Sequence, residues 1–281
     1  MNSRLAAAIL LIASLAFGTV FTSKAYAHHF GGGESAAYLA KVREVPVETH
    51  AMQADLGKPG LLAWHFDKIG EYWNSNDTRE MNERNKLLAT NIPGDIAKLI
   101  AEANKTNPDT GNVSQLVNAL DGYMSESVPV RIDAPQLNNL TVSAQAINDV
   151  LGEVMEGYGD FTNSSESADV RAAAYQNAKG LTDAASSMWT ELKAKTPSNV
   201  SSTTISALDG AFANLTKSVN ANASDDTIVS VANGTIHSNF ATAYKTTVVP
   251  EFPVPLVMAV ASIAGVIALA RFMSMRNGAK I

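Results

Sequence analysis

Apolar residues recur at spacings of three and four through most of the middle of this chain. Val113, Leu116, Val117, Leu120 and Met124 make one stripe. Leu140, Ile147, Val150, Leu151, Val154 and Tyr158 make a second, Ile205, Leu208, Phe212, Leu215 and Val219 a third, and Val229, Ile236, Phe240 and Ala243 a fourth. This period puts each set on one face of an α-helix. Strand-like alternation is scarce: Val128-Pro129-Val130-Arg131 is too short and contains a proline. Gly57-Lys58-Pro59-Gly60, Asn107-Pro108-Asp109 and Thr196-Pro197-Ser198 break the periodic stretches and read as turns. The pattern predicts an all-α protein.

The chain also resembles itself. Val45-Pro46-Val47, followed by Ala51 and Gln53, matches Val128-Pro129-Val130, followed by Ala134 and Gln136. Asn76 matches Asn163, Asn112-Val113-Ser114 matches Asn199-Val200-Ser201, and Ala119-Leu120-Asp121-Gly122 matches Ala207-Leu208-Asp209-Gly210. The offset drifts only from 83 to 88 along these pairs, which predicts a tandem repeat of about 87 residues. Ser218-Val219 echoes Ser127-Val128 and opens a partial third copy, in which His237 and Tyr244 repeat the spacing of His65 and Tyr72. The expected helices lie near 60–74, 79–105 and 113–125 in copy one. They lie near 140–158, 167–194 and 203–218 in copy two, with a closing helix near 227–245. The expected divisions are a signal over 1–27, a flexible lead and short helix over 28–44, repeats over 45–126 and 127–217, a partial repeat over 218–246, and a tail over 247–281. Such helices bury their stripes on one another, as consecutive bundles or one elongated bundle.

The two ends carry the clearest addresses. Arg4, the apolar run from Leu5 to Phe17 and the small-x-small motif Ala25-Tyr26-Ala27 make a secretory signal, with cleavage leaving His28 first. The alternative is an uncleaved membrane anchor. At the other end, Pro250-Glu251-Phe252 precedes an uncharged apolar run from Pro253 to Ala270, then Arg271, Arg276 and Lys280. The run is close to the length needed to span a bilayer, and the basic residues place the C-terminus inside. This tail resembles the PEF-CTERM class of archaeal sorting signals. The resemblance covers residues 250–281 only. It implies recognition of the tripeptide by an archaeosortase-type transpeptidase, removal of the helix and replacement by a lipid anchor. An ordinary tail anchor is the alternative. Either way the protein is expected at the outer face of the membrane.

The chain has no cysteine, so an exported domain must hold together without disulfides. Its net charge is −6, and the basic residues of both ends lie outside the expected mature segment, which leaves that segment more acidic still. Nucleic acid is thereby disfavoured as a partner. Asn-x-Ser/Thr occurs nine times, at Asn76, Asn104, Asn112, Asn139, Asn163, Asn199, Asn214, Asn222 and Asn233. Chance gives roughly three or four such triplets at this composition. Several are expected to carry glycans; others serve as helix caps and turn residues.

Catalytic signatures are missing. There is no His-Glu-x-x-His, Gly-x-Ser-x-Gly, phosphate-cradling glycine loop or Glu-x-x-His. Gly31-Gly32-Gly33 reads as a flexible lead. Glu80 with Glu83, and Glu153 with Glu156, read as solvated helix faces. A free amine at His28 beside its imidazole, with His29, is a copper-type donor set; His50 beside Met52 and His65 between Trp64 and Phe66 are further candidate metal ligands. Asp133 and Leu151 stand at the positions of His50 and His65 in the second copy, so the histidines are not part of the repeated design. The expectation is a non-enzymatic, glycosylated protein, anchored at the surface of an archaeal cell, with a structural, adhesive or interaction role among envelope or surface-layer proteins. No cofactor is expected on this reading. The alternative is an extracytoplasmic helical bundle that binds copper or haem.

Overall fold

Helices account for nearly all regular structure in the computed structural model, which describes residues 33–246; no strand occurs among them. The secretory signal, His28, His29, the Pro250-Glu251-Phe252 motif and the apolar tail lie outside the described residues. None of the described helices is long and apolar enough to cross a membrane.

Side-chain caps fix most helix starts. Helix α1 spans Glu34–Ala54, and α2 spans Pro59–Tyr72 with proline at its first position, where a missing N–H costs nothing. The turn between them uses Gly57 at φ 81°. Helix α3, Ser75–Arg84, opens on a capping box between Asn74 and Asp77. Helix α4, Lys86–Ala103, is capped by Asn85, whose side chain accepts from the amides of Leu87 and Leu88. Asp109 caps α5, Thr110–Arg131. After the single turn α6, Ala134–Leu137, Asn139 caps α7, Leu140–Thr162. Ser167 caps α8, Ala168–Lys195, and Ser201 caps α9, Ser202–Asn220. The last stretch is α10, Asp225–Val229, a π-helical segment, Ser230–His237, and α11, Ser238–Tyr244.

Two cores result. The first gathers Met52 of α1, Ile69 of α2, Ile92 and Leu99 of α4, and Val117 and Leu120 of α5. The second gathers Val150 and Val154 of α7, Leu181 and Trp189 of α8, Leu208 and Phe212 of α9, and Phe240 of α11. In it Trp189 and Phe212 stack with ring planes 8° apart, and Phe240 closes the cluster. Helix α1 feeds both: Ala36 and Ala40 enter the second core, Val45 and Met52 the first. It packs on α2 and α5 and also on α7 and α8. The described residues fall within one compact unit.

Three expectations need correction. Residues 28–44 are not just a lead and a short helix: α1 begins at Glu34 and runs to Ala54. It escapes a periodicity search because neighbours surround it and it buries Glu44, Glu48 and Thr49 along with its apolar residues. The expected divisions at 45, 127 and 218 all fall inside helices, within α1, α5 and α9. Pro46 and Pro129, the matched prolines of the two expected copies, sit within α1 and α5, each forgoing one backbone hydrogen bond. The expected helix over 79–105 is instead α3 and α4, because Asn85 ends one and caps the next. Leu120 and Leu208 are both fully buried. Tyr72, Tyr158 and Tyr244 recur at a constant spacing of 86 and are all buried, as are His65, Leu151 and His237 seven positions before them.

Candidate functional site

Where α1, α2, α7 and α8 meet, the interior is polar. Helical spacing puts Glu44 and Glu48 on one face of α1, with Asp55 at its end. Residues His65, Lys68 and Tyr72 share a face of α2, and Asp149, Glu153 and Glu156 a face of α7. Helix α8 supplies Gln176 and Asn177. Gly157 of α7 lets α8 come close: a Cβ there would lie 2.7 Å from Asn177 Oδ1 and 3.3 Å from the Ala174 carbonyl.

The groups form a connected chain. Lys58 donates to Asp55 Oδ1 at 2.9 Å. His65 sets Nε2 3.3 Å from both Asp55 Oδ2 and Gln176 Oε1, and Nδ1 2.7 Å from Glu48 Oε2. Asn177 Nδ2 donates to Glu48 Oε1 at 2.5 Å and to the Tyr72 oxygen at 3.2 Å. The Tyr72 hydroxyl donates to Glu153 Oε2 at 3.1 Å. Lys68 lies 2.7 Å from Glu156, 2.9 Å from Glu71 and 3.7 Å from Glu153. The chain thus runs from exposed Lys58 through an imidazole, a carboxylate, an amide and a phenol to a lysine held among carboxylates.

The electrostatics follow from dryness. Burial works against the charged form of His65, but the hydrogen bond and charge of Glu48, with the bonds to Gln176 and Asp55, hold its pKa above the ordinary imidazole value. Burial likewise opposes the charge of Lys68; Glu153 and Glu156 more than compensate and raise it. Glu44 is pushed well above the carboxylate range by burial and by the charges of Glu153 and Asp149. Asp149 rises to about 7, chiefly by burial, with Glu153 adding to it against a hydrogen bond from Gln145. Tyr72 is raised well above the phenol range by burial and by Glu153, Glu48 and Glu44. Chemically, burial and neighbouring carboxylates favour the protonated forms of Glu44 and Asp149.

The candidates named from sequence distribute unevenly. His65 is completely buried in the seam. His50 is exposed and faces α5, with Nε2 2.9 Å from Asp121 Oδ2. The two histidines share no partner, and among the described residues no three His, Asp or Glu side chains are grouped to hold a metal ion. Glu153 and Glu156 are not solvated: both lie in the seam, because α7 is surrounded by neighbours on nearly all sides. Glu83 is exposed, whereas Glu80 is half-buried and pairs with Arg131. Sequence reasoning missed Glu44, Glu48, Asp55, Lys68, Asp149 and Asn177. The signal shared by all but Asn177 is ionisable residues at helical spacing on three separate segments, each interleaved with an apolar stripe.

Eight of the nine sequon asparagines are exposed: Asn76, Asn104, Asn112, Asn139, Asn163, Asn199, Asn214 and Asn222. Asn233 is half-buried in the π-helical segment, with its Oδ1 shut from solvent. Asn139 is a helix cap and Asn163 accepts from Ser165, so some of these residues have structural duties as well. Surface depressions beside Arg84 and Arg131, and around Pro197 and Ile205, do not reach the seam. No family model, curated protein or solved structure matches this chain.

Proposed function

We propose that this is a glycosylated cell-surface protein, held at the outer face of an archaeal membrane by its apolar tail or by a lipid that replaces it. Its role is structural, adhesive or interactive, without catalysis. The observation that carries the reading is the exposure of eight sequon asparagines, spread from α3 to the loop before α10. Glycan attachment needs an accessible amide nitrogen, and a chain selected only for caps and turns has no reason to accumulate complete triplets at this density. The Ala25-Tyr26-Ala27 motif and the PEF-CTERM-like tail support the location. We further read the fold as tandem helical units with a closing helix, supported by the even recurrence of Tyr72, Tyr158 and Tyr244. Elongated helical arrays favour display and scaffolding over chemistry, by fold-level analogy.

Mass spectrometry of the mature protein from its native host tests the whole reading. The expected species starts at His28 and carries sugar on several of the eight exposed asparagines and none on Asn233. Its tail is cut at Pro250-Glu251-Phe252, and alanines there leave a longer chain. A sugar-free protein still bearing Met1 overturns the proposal.

A further inference from the structure

The seam holds more acid than base. Six carboxyl groups, Glu44, Glu48, Asp55, Asp149, Glu153 and Glu156, meet two interior cations, His65 and Lys68. Both cations are committed. His65 lies between Glu48 and Asp55, and Lys68 among Glu71, Glu153 and Glu156. The rim lysines are committed too, Lys58 to Asp55 and Lys41 to Asp77 of α3. Helix α8 contributes only the neutral Gln176 and Asn177. At the contact between α1 and α7, Glu44 feels only the shared charges of Lys41 and Lys68, which oppose its upward shift without overcoming it, and Asp149 has no cation acting on it. Asp149 is nine-tenths buried; its Oδ1 accepts from Gln145 at 3.2 Å, and its Oδ2 has no partner at all. A charged, unpartnered carboxylate oxygen in such a place is costly, whereas a protonated carboxyl is tolerated.

We propose that the seam is a proton-operated clasp: α1 stays seated on α7 while Glu44 and Asp149 hold their protons, and the contact loosens when rising pH removes them to solvent. The upward displacement of both carboxyls, by burial first and then by the charge of Glu153 on both and of Asp149 on Glu44, agrees with this, and places the transition for Asp149 near neutral pH. Helix α1 contributes side chains to both cores, so loosening its contact with α7 weakens one join between them, while the contact of α2 with α8 remains the other. The proposal is independent of glycosylation and anchoring.

The test is hydrogen exchange of the full-length chain in detergent micelles, read by mass spectrometry from pH 5 to pH 8 and corrected for the intrinsic pH dependence of exchange. Opening that releases one proton grows about tenfold per pH unit while the closed form retains it. Peptides from α1 and α7 should therefore open at least about tenfold more at pH 8 than at pH 5. Glu44→Gln and Asp149→Asn, neutral at all pH, should each flatten that rise; Glu44→Gln suffices if Asp149→Asn does not fold. Opening of α1 and α7 that is flat in the unaltered protein overturns the clasp. So does a rise undiminished in the variants, or one shared equally by α9 and α11, which marks global unfolding.

Discussion

His65 and His237 each precede a buried tyrosine by seven residues, and each is buried, yet their surroundings are opposite. His65 sits between Glu48 and Asp55 and is held in its charged form. Burial dominates at His237, against a backbone contact to Asn148, and its pKa falls to about 4. The helix at the front of the molecule meets α1 and its carboxylates; the closing helix meets the apolar face of the second core. The same residue at the same helical register thus serves as a cation in one place and as a neutral ring in the other. What decides is the neighbouring helix, not the local sequence.

The largest expected effect breaks this contrast directly. His65→Leu, which installs the side-chain type of Leu151, leaves Glu48 and Asp55 buried without an imidazolium. Loss of one partner from a buried ion network costs about 3–5 kcal/mol. His237→Leu removes no counter-charge, and a swap of comparable size should stay within about 1.5 kcal/mol. Urea unfolding of both variants at pH 6 measures the difference; equal losses contradict the assignment of charge.

The two cores should be comparably dry. Leu120→Ala and Leu208→Ala each empty a fully buried site and should each cost about 2–5 kcal/mol. The two sites belong to different cores, so the double variant should lose the sum to within about 0.5 kcal/mol. A neutral change at either site removes the structural equivalence of the two halves.

Helices α5 and α9 were legible in sequence because each keeps one apolar face, and α7 because its apolar stripe is unbroken even though polar residues are buried beside it; breaks such as Asn107-Pro108-Asp109 lie at helix ends. The polar seam was not legible, and for one reason. Glutamates at helical spacing normally mark a wet face, and that rule fails for a helix enclosed on all sides. It hid α1, whose Glu44 and Glu48 look solvated, and misassigned Glu153 and Glu156. His65 stood out between two aromatics, but its partners come from residues as distant in sequence as Glu48 and Gln176. Asn85 was likewise opaque, since nothing local distinguishes an asparagine inside a helix from one that caps the next.

The contrast predicts opposite pH behaviour. The folded pKa of His237 is depressed, so its contribution is fully present above about 6.5 and is lost as pH falls from there toward 4, at up to about 1.4 kcal/mol per unit. The folded pKa of His65 is raised, so its contribution is present below about 6.5 and is lost as pH rises through the folded value. His237→Leu should therefore narrow the gap in melting temperature between pH 7.5 and pH 4.5, making the protein relatively more acid-resistant. An unchanged gap would falsify the neutral assignment of His237.

The smallest effect concerns the third described histidine. His50 pairs with Asp121 at 2.9 Å, a closer approach than that of His65 to Asp55, but its side chain is 55% exposed. Water solvates both partners whether or not they touch, and salt screens what attraction remains, so an exposed pair of this kind is worth about 0–1 kcal/mol. His50→Ala should fall in that range at pH 6, and raising the salt from about 0.1 M to 1 M, which shortens the screening length from about 10 Å to 3 Å, should erase the difference. The loss in His65→Leu should survive the same salt, because ions do not enter the seam. If His50→Ala costs as much as His65→Leu, or if salt abolishes both losses alike, then contact geometry outweighs burial, and the distinction between the charged and the neutral histidine of this fold loses its physical basis.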